Sequence, residues 1–352
     1  MNMCKDKSTS CKVLAIVSGK GGSGKTMLTS TIASILDESG KSVLLIDADF
    51  GTAGLTYYLG LNEVSNISVG LTNIFSNKKS TSLDSEDIIE NLNSYKNTSF
   101  IGVGDHRRYK ESGGQNFFHE YFDDFLTIIK EKNIFDYIVI DCRGGIDEES
   151  ITVCRSADDI IIVAETDTTS FQATQYLVDV LYDNGISDKI TGFFINKVFD
   201  DPSVIMRNGA VSFKCRYLSS IPFDLDAIKS FIVGEIPSIS GTFSSQIWNG
   251  LCKINSLNDI KKPIMKPLKS NQFSIVSFKD VKINIGSYLL SIVLFLSIFM
   301  ILISLFMSND DLYSNLWPFF LVSLILSIFT SSDKVKKKIG SYYIKLLSIF
   351  KS

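Results

Sequence analysis

Short apolar runs alternate with longer amphipathic stretches between Cys11 and about Asn258. Most of the apolar runs are continuous, as expected where helices cover both faces of a parallel sheet. Apolar residues at helical spacing predict helices at 26–38, 120–132 and 170–184. The alternation predicts an α/β domain, doubly wound around a mostly parallel sheet, over residues 11–258. The runs predicted as strands are KVLAIVS, SVLLIDAD, TSFIGVGD, YIVIDCR, DDIIIVAE and ITGFFINKV, the last leading towards YLSSIPFD.

Polar segments delimit and interrupt this pattern. Residues 1–10 contain no apolar run, so they predict an N-terminal tail rather than a cleaved signal peptide. Polar stretches at 76–85 and 102–115 are predicted to be loops. Residues 259–284 are rich in lysine and include two prolines, which predicts a basic linker.

Two uncharged stretches follow this linker. Residues 285–307 are 23 residues without a charge, and a helix of that length covers a hydrocarbon core of roughly 30 Å. Residues 312–330 are a second stretch of 19 residues, with Tyr313 and Trp317 near one end, where aromatic side chains prefer the membrane interface. Together they predict a two-helix transmembrane hairpin over residues 285–330. A buried hydrophobic hairpin inside a soluble domain is the alternative.

Charge separates the same two parts of the chain. Up to Ile260 there are 23 Lys and Arg against 34 Asp and Glu, whereas beyond it there are 12 against 4. Lysines lie on both outer flanks of the hairpin and two acids lie in its turn, so the positive-inside rule places both flanks in the cytoplasm. The basic tail at 331–352, whose apolar residues can share one helix face, suits an anionic bilayer. The acidic body is a poor surface for nucleic acid.

The first predicted strand leads directly into a glycine-rich loop. Residues 19–26 read GKGGSGKT, which satisfies G-x-x-x-x-G-K-[ST] and precedes a predicted helix. Glycines let successive backbone N–H groups point at phosphate oxygens, and the helix N-terminus adds the positive end of its dipole. Lys25 is expected to reach the β/γ-phosphates, and Thr26 to offer its hydroxyl to Mg²⁺. The other residues predicted to bind phosphate are Gly21, Gly22, Ser23 and Gly24.

Acidic residues end two further strands. Asp141 follows the apolar residues YIVI, as a Walker B strand requires, and is predicted to hold Mg²⁺, through water. Asp47 and Asp49 end the second strand, where a carboxylate can accept hydrogen bonds from water beside a magnesium ion. These positions predict Mg²⁺-dependent chemistry on a nucleotide.

Lys20 extends the loop to K-G-G-x-G-K-T, and with it the chain resembles the MinD/ParA family of deviant Walker A P-loop ATPases, of the SIMIBI class. The stretch IDADFG is similar to the family's D-x-D-x-G switch I, and FFINK and IPFD match two later motifs. The resemblance covers about 70% of the chain, from Cys11 to Asn258. It implies ATP and Mg²⁺ as ligands and a homodimer formed across ATP.

The resemblance also implies roles for individual residues. Lys20 is the signature lysine that would reach the partner's nucleotide, and Asp49 would orient the attacking water, so both are candidate catalytic residues. Asp47 would support the magnesium site or its loop, alongside Thr26 and Asp141. Asn196 would read the adenine edge.

One motif departs from the family pattern. The family usually continues D-x-P-A-G after the Walker B strand, whereas this chain has DCRGG at 141–145. Arg143 thus replaces a proline and Gly144 an alanine. Arg143 is either a contact for a phosphate or a partner carboxylate, or a solvated surface arginine.

These observations predict a membrane-anchored ATPase switch in which ATP-dependent dimerisation and hydrolysis control the recruitment or positioning of an unidentified protein partner or activator. It would be a multi-pass protein of the cytoplasmic membrane of a bacterium, with the ATPase domain and both termini in the cytoplasm. Two alternatives stay open: a bacterial tyrosine-kinase-like P-loop protein, and an ATP-binding membrane scaffold without turnover. A zinc or iron–sulfur site is disfavoured, since the six cysteines form no CxxC pair.

Overall fold

The computed structural model describes residues 11–60, 70–76, 90–92, 95–105, 109 and 113–263. The chain divides into two units between Leu268 and Lys269, and every described residue lies in the first. The fold below is therefore that of the predicted ATPase domain. The predicted N-terminal tail lies outside the described residues.

Eight strands of the described residues form one sheet, in the order β3-β4-β2-β5-β1-β6-β7-β8. All neighbouring pairs are parallel except β3 and β4, which are antiparallel at one edge. The strands are β1 Lys12–Ser18, β2 Val43–Ala48, β3 Glu90–Asn91, β4 Thr98–Ile101, β5 Tyr137–Gly144, β6 Asp159–Glu165, β7 Ile190–Val198 and β8 Tyr217–Pro222.

Helices cover both faces of this sheet. Helices α3 to α6 pack with one face, whereas α1, α2, α8 and α9 pack with the other. The helices are α1 Lys25–Glu38, α2 Gly54–Tyr58, α3 Leu71–Ser76, α4 Gly114–Glu131, α5 Glu148–Ser156, α6 Thr168–Asp183, α7 Ser203–Ser212, α8 Leu225–Ile232 and α9 Thr242–Leu251.

Strand β1 shows why its sequence is continuously apolar. Its odd-numbered residues Val13, Ala15 and Val17 belong to one core cluster, and Leu14 and Ile16 to the other. Successive side chains of a strand point to opposite faces, so a strand with helices on both sides buries all of them. The predicted doubly wound, mostly parallel sheet is confirmed.

The helix before β5 is longer than predicted. Helix α4 begins at Gly114, whereas the sequence predicted a loop at 102–115 and a helix from residue 120. The polar start of α4 obscured this boundary, but Phe118, Phe122 and Phe125 recur at helical spacing and are all buried. The short edge strand β3 was not predicted, nor were the six helices α2, α3, α5, α7, α8 and α9. The predicted loop at 76–85 lies outside the described residues apart from its first residue, which ends α3.

None of the described residues forms a helix that is both long enough and apolar enough to cross a membrane. The segments predicted to contact a membrane, 285–330 and 331–352, lie outside the described residues. The linker predicted at 259–284 is described only as far as residue 263. All three stay predictions.

Candidate functional site

The glycine-rich loop joins β1 to α1 at the carboxyl edge of the parallel strands. This is the edge where open α/β sheets bind ligands. Gly24 precedes the first residue of α1 with a φ of +87°, a left-handed backbone that side chains disfavour. A Cβ at Gly24 would also collide with the side-chain amide of Asn196. Glycine is therefore required at this position by both backbone geometry and packing.

Asn196, at the end of β7, supports the phosphate loop from the side. It is 2% exposed, and its Nδ2 donates to the carbonyl of Ser23 at 2.8 Å. Its Oδ1 accepts from the backbone N–H of Lys197 at 2.9 Å. The structure thus gives Asn196 a role in supporting the phosphate loop. Its contact with an adenine edge stays a prediction.

Lys197 and Glu165 also hold the loop and were missed from the sequence. The Lys197 ammonium donates to the carbonyl of Gly22 and to Glu165 Oε1, the latter at 2.8 Å. Lys197 has a φ of +57°, an uncommon conformation for a residue other than glycine. A lysine directly after Asn196 was visible in the sequence, but nothing local indicated its distant partners.

Two polar side chains of the phosphate loop have no partner among the described residues. Lys25 is 7% exposed, and within the described part of the chain its ammonium makes no hydrogen bond or ion pair. The Ser23 hydroxyl is fully buried and has no hydrogen-bond partner there either. Buried polar groups are nearly always paired, so two unpaired donors at a helix N-terminus fit phosphate oxygens. The residues present therefore suit a nucleotide.

Asp141 and Thr26 form the core of the candidate magnesium site. Asp141 accepts hydrogen bonds from the hydroxyls of Thr26 at 2.7 Å and Thr29 at 3.1 Å. Burial raises the pKa of Asp141 to about 6, against the opposing charge of Lys25. Mg²⁺ is usually held by one or two carboxylates together with phosphates. Within the described ranges, no group of three or more His, Cys, Asp or Glu side chains is arranged to hold a metal ion.

Asp47 lies beside Asp141, its register partner on the neighbouring strand. One oxygen of Asp47 accepts from the backbone N–H of Asp49 at 3.0 Å. The other accepts from the N–H and hydroxyl of Thr56 at 2.8 and 2.7 Å. Burial raises the pKa of Asp47 to about 7, and the charge of Asp141 adds to this effect. Asp47 thus positions the following loop and α2, while its contribution to a metal site stays a prediction.

Asp49 and Phe50 fix switch I, defined here as residues 47–51. The Asp49 carboxylate accepts from the backbone N–H groups of Gly51 and Thr52, both at 3.0 Å, and from the Thr52 hydroxyl at 2.6 Å. The Phe50 ring stacks on Tyr109 with centroids 4.7 Å apart. The candidate catalytic carboxylate therefore sits in a loop that is anchored on both sides.

Lys20 is held within its own chain. Its ammonium donates to both oxygens of Asp167, at 3.2 and 3.0 Å, and lies 3.7 Å from Glu165. Asp167 caps the N-terminus of α6 by accepting from the N–H of Ser170. Hydrogen bonds from Thr169, from Ser170 and from Lys20 hold the pKa of Asp167 well below its ordinary value. The charge of Asp167 is thus shared between a helix cap and the signature lysine.

Switch II, residues 141–145, packs directly against the phosphate loop. The backbone N–H of Gly145 donates to the carbonyl of Ser18 at 3.0 Å. A Cβ at Gly144 would lie 2.6 Å from the Cα of Gly21, so no side chain fits between the two loops. Arg143 is exposed, and its guanidinium lies against Gly51 of switch I. The structure therefore brings all the predicted site residues to one edge of the sheet.

Comparisons with known proteins agree with this arrangement. A protein-family model described as an AAA domain matches residues 11–186. A septum site-determining protein MinD of Tupiella akineta is 30% identical over 238 residues, which are 65% of this chain and 72% of that protein.

Solved structures share the fold. The septum site-determining protein MinD of Pyrococcus horikoshii, complexed with Mg-ADP, aligns with a TM-score of 0.59 over 72% of this chain and 100% of that chain. The MinC:MinD cell division protein complex of Aquifex aeolicus aligns with a TM-score of 0.54 over 68% of this chain and 94% of that chain. Both are 22% identical to this chain, a level at which the likeness establishes the fold alone.

Proposed function

Since this chain belongs to the MinD/ParA family of P-loop ATPases, we propose that it is a membrane-anchored ATPase switch. ATP favours a dimer that recruits or positions a protein partner at the cytoplasmic membrane, and hydrolysis returns the dimer to monomers. The observation that carries the proposal is the preformed phosphate loop, in which the buried Ser23 hydroxyl and Lys25 ammonium have no partner within the described part of the chain.

Nucleotide binding uses groups that are already in place. The backbone of residues 21–24 and the start of α1 bind phosphate oxygens, and Lys25 supplies the positive charge. Thr26 and Asp141 would hold Mg²⁺, with Asp47 beside them. When bound, Mg²⁺ neutralises charge on the phosphates and helps to orient them.

Hydrolysis depends on Asp49. Its carboxylate is the acceptor that would orient a water molecule, and its loop is fixed by Asp47 and by the Phe50–Tyr109 stack. Because phosphoryl transfer relies mainly on positioning and electrostatics, an anchored carboxylate suits this task.

Dimerisation requires Lys20 to change partners. In the single chain its ammonium pairs with Asp167, and it would leave this carboxylate to reach the nucleotide of a second subunit. Exposed ion pairs bind weakly, so the exchange is inexpensive. The ion pair then holds the ammonium of the signature lysine at the start of α6 until a dimer forms.

Membrane anchoring rests on the sequence. Residues 285–307 and 312–330 are each long enough to span a bilayer, and the flanking lysines favour a cytoplasmic ATPase domain. Attachment would be permanent, so nucleotide would control dimerisation and partner capture rather than membrane residence. The relatives support a positioning role, since one is named for septum site determination and another was solved in complex with MinC.

Phosphate release from the detergent-purified full chain tests the enzymatic part of the proposal. We expect turnover of ATP over GTP, lost in both Lys25→Ala and Asp49→Ala, and measured with and without lipid vesicles. Tight ATP binding without turnover, even with lipid, would favour the scaffold alternative. Absence of ATP binding would contradict the interpretation of the phosphate loop.

Cell fractionation tests the anchor. We expect the full chain and its Lys25→Ala variant to remain with the membrane after high-salt and carbonate washes, because transmembrane helices do not depend on nucleotide. A variant truncated after Ile260 should be released. Nucleotide-dependent release of the full chain would contradict permanent anchoring.

A further inference from the structure

Arg143 lies at the phosphate end of the site. It follows Asp141 by two positions at the carboxyl end of β5, where the register with β1 shifts between Asp141 and Gly144. Its neighbour Gly144 packs against the backbone of Gly21, and the carbonyl of Lys20 is close by. The residue is therefore placed beside the phosphate loop.

The guanidinium of Arg143 reaches from switch II to Gly51 of switch I. A Cβ at Gly51 would lie 2.8 Å from both its Cζ and its Nε, so this contact requires glycine at position 51. At the start of α2, which follows this loop, a Cβ at Gly54 would lie 3.6 Å from the Thr26 hydroxyl. The segment that the guanidinium contacts at Gly51 thus leads directly to the candidate magnesium site at Thr26.

Among the described residues, Arg143 has no partner that would account for this position. Within the described ranges its guanidinium makes no hydrogen bond and no ion pair. Burial raises the pKa of Asp147, and the charge of Arg143 opposes that effect without a direct contact. A guanidinium presents a planar set of N–H donors that matches phosphate oxygens.

The local charge balance favours an anionic ligand for this guanidinium. Asp47, Asp49 and Asp141 place three carboxylates at this edge, and the phosphates of a nucleotide would add further negative charge. Lys20 pairs with Asp167. Among the described residues around the phosphate loop, Lys25 and Arg143 are the cations without an ion pair.

We propose that Arg143 binds the terminal phosphate of ATP from within the same chain, and so allows the site to distinguish ATP from ADP. This inference rests on the proposed function, because it requires that the phosphate loop binds ATP. A solvated surface arginine, the alternative, would affect the two nucleotides equally.

Equilibrium binding of Mg-ATPγS and Mg-ADP to the full chain in detergent tests the inference. Arg143→Ala should weaken ATPγS binding by about tenfold while leaving ADP binding within about twofold, since a charged contact to one phosphate is lost. Arg143→Lys should restore part of the difference. Arg155→Ala, at the opposite edge of the sheet, is the matched control and should change neither affinity.

A second variant separates a direct contact from a folding defect. Gly51→Ala leaves the arginine intact but displaces its guanidinium, so it should also reduce the preference for ATPγS over ADP. If Arg143→Ala lost the same affinity for both nucleotides, or lost affinity for neither, the inference would be overturned. The proposed function would still stand, because the wild type would bind nucleotide. If the wild type bound neither nucleotide, the proposed function itself would fail.

Discussion

The phosphate loop and the two switch loops face each other, but their side chains differ in what they contact. In the phosphate loop, Lys25 and the Ser23 hydroxyl are buried without a protein partner among the described residues. In switch I, Asp47 and Asp49 each accept three hydrogen bonds from their own segment. Binding groups are thus ready for a ligand, whereas the groups assigned to catalysis are held by the protein.

This difference suggests how binding and turnover are separated. A preformed loop can bind nucleotide without rearranging, because its backbone conformation is fixed by glycines and by Asn196. Lys20, in contrast, must exchange one partner for another before it can act on a second subunit. Variants of Lys25 should therefore affect binding, whereas variants of Asp49 and of the Lys20–Asp167 pair should affect later steps.

Of the variants considered, Lys25→Ala should have the largest effect, and this effect should be on ATP affinity. Removing the buried ammonium leaves the phosphates without their main cation, so ATP affinity should fall by about 100-fold or more. Titration with a fluorescent ATP analogue measures this directly. Thermal unfolding of the nucleotide-free variant is the control. Its Tm should change little, because among the described residues the Lys25 ammonium makes no hydrogen bond or ion pair and only its attraction to Asp141 would be lost. If Lys25→Ala bound ATP with unchanged affinity, the phosphate loop would no longer differ from the switch loops in its contribution to binding.

Asp49→Asn should lower turnover by about 100-fold while leaving ATP affinity unchanged. Asparagine can still accept the two backbone N–H groups of the loop, so the substitution removes charge rather than the turn. Single-turnover phosphate release and nucleotide binding should be measured on the same preparation. Thr52→Val is the matched control: it removes the hydroxyl donor to Asp49 but keeps the carboxylate. A parallel loss of affinity in Asp49→Asn would show that switch I contributes to binding.

Asp167→Asn should promote dimerisation by about threefold, since it removes a surface ion pair that holds Lys20 in its own chain. Asparagine caps helices as well as aspartate does, so the start of α6 should be preserved. Analytical ultracentrifugation with Mg-ATPγS measures the change. Asp188→Asn, an exposed carboxylate at the opposite edge of the sheet, should leave the dimer unchanged. Weaker dimerisation in Asp167→Asn would mean that the ion pair orients Lys20 rather than restraining it.

The smallest predicted effect is on the pH dependence of stability without metal or nucleotide. Burial raises the pKa of Asp47 to about 7 and that of Asp141 to about 6, from 3.8 in the unfolded chain. The folded protein therefore holds these protons more tightly, and the stability this adds is lost as pH rises through 6 and 7. The Tm of the wild type in EDTA should fall more steeply between about pH 4 and 7 than that of Asp141→Asn. If the Tm of the two proteins changed with pH in parallel, the raised pKa of Asp141 would be contradicted.

The sequence predicted well what local pattern encodes. The buried strands were visible as continuous apolar runs, and the phosphate loop was visible because its glycines, Lys25 and Thr26 stand at fixed spacing after a strand. The short helices α7 to α9 were missed since each spans at most ten residues. A few apolar residues in a short segment do not establish a helical period.

Contacts between distant segments could not be predicted. Lys20 and its partner Asp167 are 147 residues apart, and Asn196 and Ser23 are 173 apart. Only the strand order places these pairs together, and no periodicity in the sequence encodes it. The contact of Arg143 with Gly51 belongs to the same class, although DCRGG was already visible as a departure from the family pattern.

The position of β1 in the middle of the sheet has a consequence for synthesis of the chain. Lys12 of β1 pairs with Tyr137 of β5, so the strand that carries the phosphate loop is made early and its first neighbour emerges only after more than a hundred further residues. At about 5–20 residues per second, the ribosome needs roughly 6–25 s to cover that distance. During that interval an apolar segment has no sheet to join. The nascent chain is therefore expected to need protection by a chaperone before it can bind its first nucleotide.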